Sequence, residues 1–252
     1  MQIDMEMCVG CGRCQPYCPD QAIYFEDGVS KIDEDLCFEC GTCLRSEICP
    51  VEAIYEVDYV FIYPRSVRKF FSDPTTTHKE TNMPGRGTEE VKTNDVTNRY
   101  KKGEVGVALE VGRPTVGTRL YEVEKITMGL AKAGFNNFEE SNPVFGLMAD
   151  PVIGKFKKEV LDERLLSAIV EFICSENELK KCLNIIYELS KEIDTVFTMG
   201  LITCYDPGMK IRIQEIINRS KFTQRHNAKI NIGIGRKLNE KEVKTNDPYF
   251  TS

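Results

Sequence analysis

Eight of the eleven cysteines fall in two tandem runs, Cys8-x2-Cys11-x2-Cys14-x3-Cys18-Pro19 and Cys37-x2-Cys40-x2-Cys43-x5-Cys49-Pro50. Thiolates three residues apart on a short loop place three soft ligands on one multi-iron centre, one per iron, and the fourth arrives from beyond the loop. A structural zinc site ordinarily groups its thiolates as two Cys-x2-Cys pairs, without a third evenly spaced cysteine or a trailing Cys-Pro. A disulfide framework needs an oxidising compartment, and the start Gln2-Ile3-Asp4 shows no basic, apolar, small-residue leader. The expectation is a cytoplasmic iron–sulfur protein working under anaerobic conditions.

The runs form an internal repeat. Cys8, Cys11 and Cys14 map onto Cys37, Cys40 and Cys43, and Pro19, Ala22, Ile23 and Tyr24 map onto Pro50, Ala53, Ile54 and Tyr55 with a two-residue insertion between Leu44 and Ile48. On these residues the segment 1–60 resembles a bacterial-type ferredoxin with two [4Fe-4S] clusters. The resemblance implies a pseudo-symmetric fold of small hairpins and short helices, with Ala22-Ile23 and Ala53-Ile54 walling the clusters from water. It also implies that the fourth cysteine of each run serves the other cluster. Cys8, Cys11, Cys14 and Cys49 would then hold the first, and Cys37, Cys40, Cys43 and Cys18 the second. The insertion departs from the family pattern and alters the approach of Cys49. Cys11 and Cys40, whose loss would favour a three-iron cluster, are both present.

Charge is unevenly placed. Residues 1–60 carry thirteen acidic side chains against Arg13, Lys31 and Arg45, a net charge of −10 in a chain of net −6. An acidic segment of this kind favours encounter with a basic docking surface, and it also simply solubilises the segment. The basic residues are scattered without interleaved aromatics, which argues against a nucleic-acid partner. No apolar run is long enough to span a bilayer.

The run Tyr55 to Tyr63 reads as a strand, and residues 61–103 as a linker or long loop in which apolar periodicity disappears. Within it, Gly85 to Arg99 has the glycines, hydroxyls and arginines of either a polar-ligand site or an exposed linker, and His78 reads as a solvated loop residue. An ordered region is expected over 104–238, with a tail over 239–252. Strands are expected at Val105–Val111, Val144–Met148, Ala168–Cys174 and Val196–Thr203. Helices are expected at Thr118–Gly134 and, from a Ser175/Glu178 capping box, along a face of Leu179, Cys182, Leu183, Ile186, Leu189 and Ile193. Val160–Leu166 reads as a helical turn or two, with a last helix near Met209–Arg219 and a strand at Lys229–Ile234. The order β-α-β-β-α-β predicts an α+β fold: a ferredoxin domain followed by a split-βαβ, ferredoxin-like or ACT-like antiparallel sheet with helices on one face. Such sheets also pair into homo-oligomers.

Three features beyond the runs carry possible chemistry. Gly112 to Arg119 joins a strand to a helix, and Arg113, Thr115, Gly117, Thr118 and Arg119 make a candidate anion or substrate site at the helix start, or an ordinary tight turn. It lacks the Walker lysine and any G-x-G-x-x-G spacing. Asn231 to Arg236 is a glycine-punctuated strand end. Cys174, Cys182 and Cys204 have no metal-like spacing and read as inert core thiols, and His226 is isolated.

The leading functional reading is an electron-transfer protein with two [4Fe-4S] clusters. It passes low-potential electrons to a partner, a larger reductase, and uses the C-terminal domain for docking or assembly. A competing reading is an oxidoreductase in its own right. Glu104 to Arg119 and 168–203 are faintly similar to parts of ferredoxin-fused reductases of the 6-hydroxynicotinate reductase type. A redox-sensing regulator is the third.

Overall fold

The computed structural model describes residues 1–76, 99–114, 116–208 and 210–224. Several expectations fall outside them: His78, Gly85 to Asn98, Thr115, His226, the strand at 229–234 and the tail at 239–252.

The N-terminal part is built twice from the same local chemistry. β1 (Gln2–Ile3) pairs antiparallel with β4 (Ile54–Tyr55), and β2 (Ile23–Glu26) forms a hairpin with β3 (Val29–Ile32). Asp27 and Gly28 both have positive φ (52° and 84°), the geometry an Asp-Gly hairpin turn favours. In the first copy the Asp4 amide donates to Ala53 O at 2.8 Å, and the Asp4 carboxylate accepts the amides of Glu6 and Met7 at 2.8 and 3.2 Å. In the second, Asp33 donates to Ala22 O at 2.8 Å and accepts the amides of Asp35 and Leu36 at 2.8 and 3.2 Å. Each aspartate thus closes the turn that leads into its cysteine run. α1 (Thr42–Arg45) follows Cys40 and opens the inserted segment.

The run after Tyr55 does not continue as a strand. It has no partner strand among the described residues and folds into a 3-10 turn over Asp58–Phe61. The segment expected as linker then contains α2 (Ser66–Ser72), whose Val67 and Phe71 are buried in the core of the C-terminal part. α2 also buries Arg68 and Lys69, each ion-paired.

The C-terminal part is a mixed helix and sheet structure with small antiparallel sheets. β5 (Glu104–Val111) is central, with β10 (Ala168–Ser175) and β11 (Phe197–Ile202) antiparallel on either side. α3 (Leu120–Lys132) and α5 (Leu179–Leu189) pack on each other and on β10, and a Cβ on Gly129 would strike Leu189, so the glycine sets their close approach. The buried face of α5 is Leu179, Cys182, Leu183 and Ile186, with Leu189 and Ile193 packed at its edge. Ser175 Oγ bonds the Glu178 carboxylate at 2.6 Å.

Three local expectations are corrected here. Val144–Met148 is not a core strand: Asn142 caps and Pro143 opens the short helix α4 (Pro143–Gly146), and β7 (Met148–Asp150) pairs, among the described strands, with β8 (Lys155–Phe156) alone. Val160–Leu166 comprises a 3-10 turn, Lys158–Val160, and β9 (Arg164–Leu165), which pairs with β6 (Thr118–Arg119). The last helix shrinks to α6 (Gln214–Asn218). In the described three-stranded sheet β5 is antiparallel to both neighbours, and the second strand of the expected split βαβ, placed at Val144–Met148, is not part of it.

Candidate cluster sites

Two cavities lie in the N-terminal part, and each is lined by four thiols drawn from both runs. Cys8, Cys11, Cys14 and Cys49 line one, with Ala53 and Ile54 on its wall. Cys18, Cys37, Cys40 and Cys43 line the other, with Ala22 and Ile23. Those alanines and isoleucines are almost wholly buried. The geometry therefore brings the last cysteine of each run to the cavity of the other. Among the described residues no three His, Cys, Asp or Glu side chains are close enough to share a single ion; the thiols instead ring a larger space.

Positive backbone angles set these loops. Gly12 and Gly41 stand at φ 68° and 67°, and Gly10 and Glu39 at 66° and 56°. A Cβ on Gly10 would lie 2.1 Å from the carbonyl oxygen of Gly28, so the first loop requires glycine there. At the matching place in the second loop Glu39 is fully buried. Its carboxylate pairs with Arg65 and with the Met1 amino group.

The sulfurs accept hydrogen bonds in a repeated pattern. Ala22 N–H donates to Cys18 Sγ at 3.2 Å and Ala53 N–H to Cys49 Sγ at 3.3 Å. Ser30 N–H reaches Cys8 Sγ at 3.5 Å and Glu39 N–H reaches Cys37 Sγ at 3.4 Å. The Thr42 hydroxyl lies 3.3 Å from Cys40 Sγ. N–H donors aimed at sulfur stabilise thiolate charge on a metal centre and tune its potential. Four thiols per cavity, apolar walls and these donors fit a [4Fe-4S] cluster at each place.

Without metal the same surroundings oppose thiolates. Burial, reinforced by the Glu39 carboxylate, pushes the Cys37 thiol up to about 12, and burial pushes Cys43 up to about 11. Both exceed the ordinary value of 9.0, so the folded apo-chain holds these protons after the unfolded chain has released them. Stability from these groups is present below pH 9 and lost as pH rises toward the folded values. Thermal unfolding of the apo-chain should show its melting temperature falling between pH 9 and 11; a flat profile over that range would contradict the buried, neutral thiols.

The candidate anion site is arranged differently from the sequence expectation. Arg113 pairs with Glu110 at 2.8 Å and donates to Ser167 Oγ at 3.3 Å. Arg119 pairs with Asp35 and donates to Asp162 O at 2.7 Å. Thr118 is buried in the β6–β9 pair, Gly117 O accepts from Thr195, and Thr115 lies outside the described residues. The first amides of α3, from Leu120 and Tyr121, donate to Glu163 O and Leu161 O at 3.1 and 3.0 Å, so these helix-start donors are spent within the protein. The loop is a seam between the two parts. A Cβ on Gly117 would meet the Phe38 ring at 2.2 Å. Arg164 stacks over Phe38 at 5.4 Å and pairs with Asp20 at 2.8 Å. Phe38 also lines the cavity of Cys37. Sequence reasoning missed this role because Asp20, Asp35 and Phe38 are remote in the chain from the arginines and glycine they meet. Cys174 and Cys182 are buried in the core, and Cys204 is half-buried.

Residues 1–24 match the family described as a 4Fe-4S binding domain. The chain is similar to Ferredoxin Fdx2 of Sorangium cellulosum, 33% identical over 107 residues, covering 38% of this chain and 94% of that protein. It is 50% identical over 40 residues to Ferredoxin-1 of Rhodobacter capsulatus, covering 16% of this chain and 62% of the relative. It is 46% identical over 50 residues to the pyruvate synthase subunit PorD of Thermotoga maritima, covering 19% and 48%. The chain thus spans well under two thirds of PorD and slightly under two thirds of Ferredoxin-1. No solved structure matches. Among the described residues no helix is long and apolar enough to cross a membrane.

Proposed function

This chain belongs to the ferredoxin family through its N-terminal [4Fe-4S] domain, and from that premise we propose that it carries electrons through two clusters to a larger partner reductase. Ferredoxin-type iron–sulfur electron transfer is common ground with its relatives. The observation that carries the finer reading is the pair of cavities, each with four thiols crossing between the runs. A [4Fe-4S] cluster, when bound, supplies reversible one-electron storage.

The chain's own residues do the rest. Cys8, Cys11, Cys14 and Cys49 hold the first cluster, and Cys18, Cys37, Cys40 and Cys43 the second. The Ala22 and Ala53 amides orient the crossing thiols, and the paired Ala-Ile walls exclude water. Cys11, alone among these eight thiols in being exposed, makes the first site the side from which an electron donor reaches the pair. The part from residue 104 onward is a docking or assembly platform. Two observations support a partner of this kind: a relative named as a subunit of pyruvate synthase, and a net charge of −10 over residues 1–60 that suits a basic docking surface.

Anaerobic reconstitution tests the reading. It should yield about eight irons and about eight sulfides per chain. Mass spectrometry of an anaerobic pull-down should then return a larger oxidoreductase. Iron saturating at half that content, or substrate turnover by the purified chain with a chemical reductant and no second protein, would count against it.

A further inference from the structure

The second site is the one that abuts the C-terminal part, through Phe38, and a buried cation sits at that contact. Arg68 lies on α2, outside the repeat, and is 4% exposed. Its Nη1 donates to the carbonyl oxygens of Glu34, Asp35 and Cys37 at 3.2, 2.7 and 3.1 Å. Its Nε donates to Glu163 at 2.5 Å from another edge of the guanidinium. The positive edge therefore faces the loop that delivers Cys37; the Glu163 counter-charge lies on a different edge, and the Asp35 carboxylate, 4.0 Å from Nη2, is largely exposed to solvent and pairs with Arg119 as well.

Other groups bear on the two sites. Arg13 lines the first cavity, but it is exposed and screened by solvent. Exposure of Cys11 raises the first potential, since solvent stabilises the more negative reduced state. At the second site the Glu39 carboxylate acts against reduction, but Arg65 and the Met1 amino group both pair with it. The second group of thiols also has the Thr42 hydroxyl beside Cys40 in addition to two backbone donors. A cation held in the dry contact acts at much lower effective dielectric than an exposed one, so Arg68 outweighs Arg13 and the exposure of one thiol.

We infer that Arg68 is a positioning residue that holds the second site at a higher reduction potential than the first, so that an electron given to the pair settles beside the C-terminal part. This rests on the two-cluster reading above. One electron leaves the first site as the second accepts it, and no bond or proton changes place. The chain would thus be directional, taking electrons at the exposed site and presenting them at the internal one.

The test is a potentiometric titration of the reconstituted full chain with dithionite, followed by electron paramagnetic resonance. The wave that Cys37→Ala abolishes belongs to the second site. It should lie above the other wave. Arg68→Gln should lower it by at least tenfold in the one-electron equilibrium constant, which is about 59 mV. Glu163→Gln should raise it, Arg68→Lys should largely preserve it, and the first wave should stay in place. Damage to the fold does not produce shifts of opposite sign from two partners of one ion pair. If Arg68→Gln fails to assemble, Glu163→Gln and Arg68→Lys still decide the matter. A second wave below the first, or no selective shift in a chain holding its full iron, overturns the role of Arg68. A parent chain with half the iron overturns the two-cluster reading instead.

Discussion

A Cys18→Ala chain, reconstituted without oxygen, is expected to retain the iron of the first site and lose that of the second, although Cys18 closes the first run. Total iron should fall from about eight per chain to about four. The reason is geometric: Cys18 lines the cavity of Cys37, Cys40 and Cys43, and the Ala22 amide that donates to its sulfur at 3.2 Å fixes it there. Double variants make the assignment independent of spectral interpretation. Adding Cys37→Ala to Cys18→Ala should cost no further iron, because both changes strike one site. Adding Cys8→Ala should remove nearly all that is left. The opposite pattern, with Cys8→Ala silent in that background, would mean that each run closes on its own cluster.

The parts of the molecule legible from sequence are those whose chemistry is local. Thiols three residues apart imply a polynuclear centre, and β5, β10, β11, α3 and α5 each carry a full period of apolar positions. The parts that were not legible depend on distant partners. α2 is one example. Val67, Phe70 and Phe71 make barely one helical turn, and Arg68 and Lys69 between them look like solvent-facing charges. They are buried only because Glu163, Glu56 and Asp73 meet them. Glu56 to Tyr63 has the composition of a strand but no partner strand among the described residues, and a strand without a ladder leaves its amides unpaired. For α4 a local signal existed: Asn142 before Pro143 is a cap followed by a first-turn proline, and Val144 N–H donates to the Asn142 side chain at 2.9 Å. Arg113 and Arg119 look like a pair in the sequence, yet their partners pull one to Glu110 and the other across to Asp35.

Phe71→Ala should destabilise the whole chain by about 3–5 kcal/mol, the range for emptying a buried phenylalanine site. Phe71 is 5% exposed and belongs to the core of the C-terminal part. Its helix also grips the N-terminal part. Lys69 pairs with Glu56 and, at 2.6 Å, with Asp73, while Asp73 holds Arg45 at 2.8 Å. A loss of that size is a large share of the 5–15 kcal/mol by which domains are ordinarily stable. Cluster absorbance and far-ultraviolet circular dichroism should fall together in a thermal or denaturant scan, at a lower midpoint than in the parent. Phe25→Ala is the control: its ring is half exposed on the β2–β3 hairpin, and the change should cost no more than about 0.5 kcal/mol. Were Phe71→Ala as mild as Phe25→Ala, residues 61–76 would be a tether between independent units, and the seam at Phe38, Arg68 and Arg119 would not be rigid enough to fix a potential. A common midpoint, lowered by one side chain remote from both cavities, would instead make α2 the element through which the C-terminal part controls the environment of the second site.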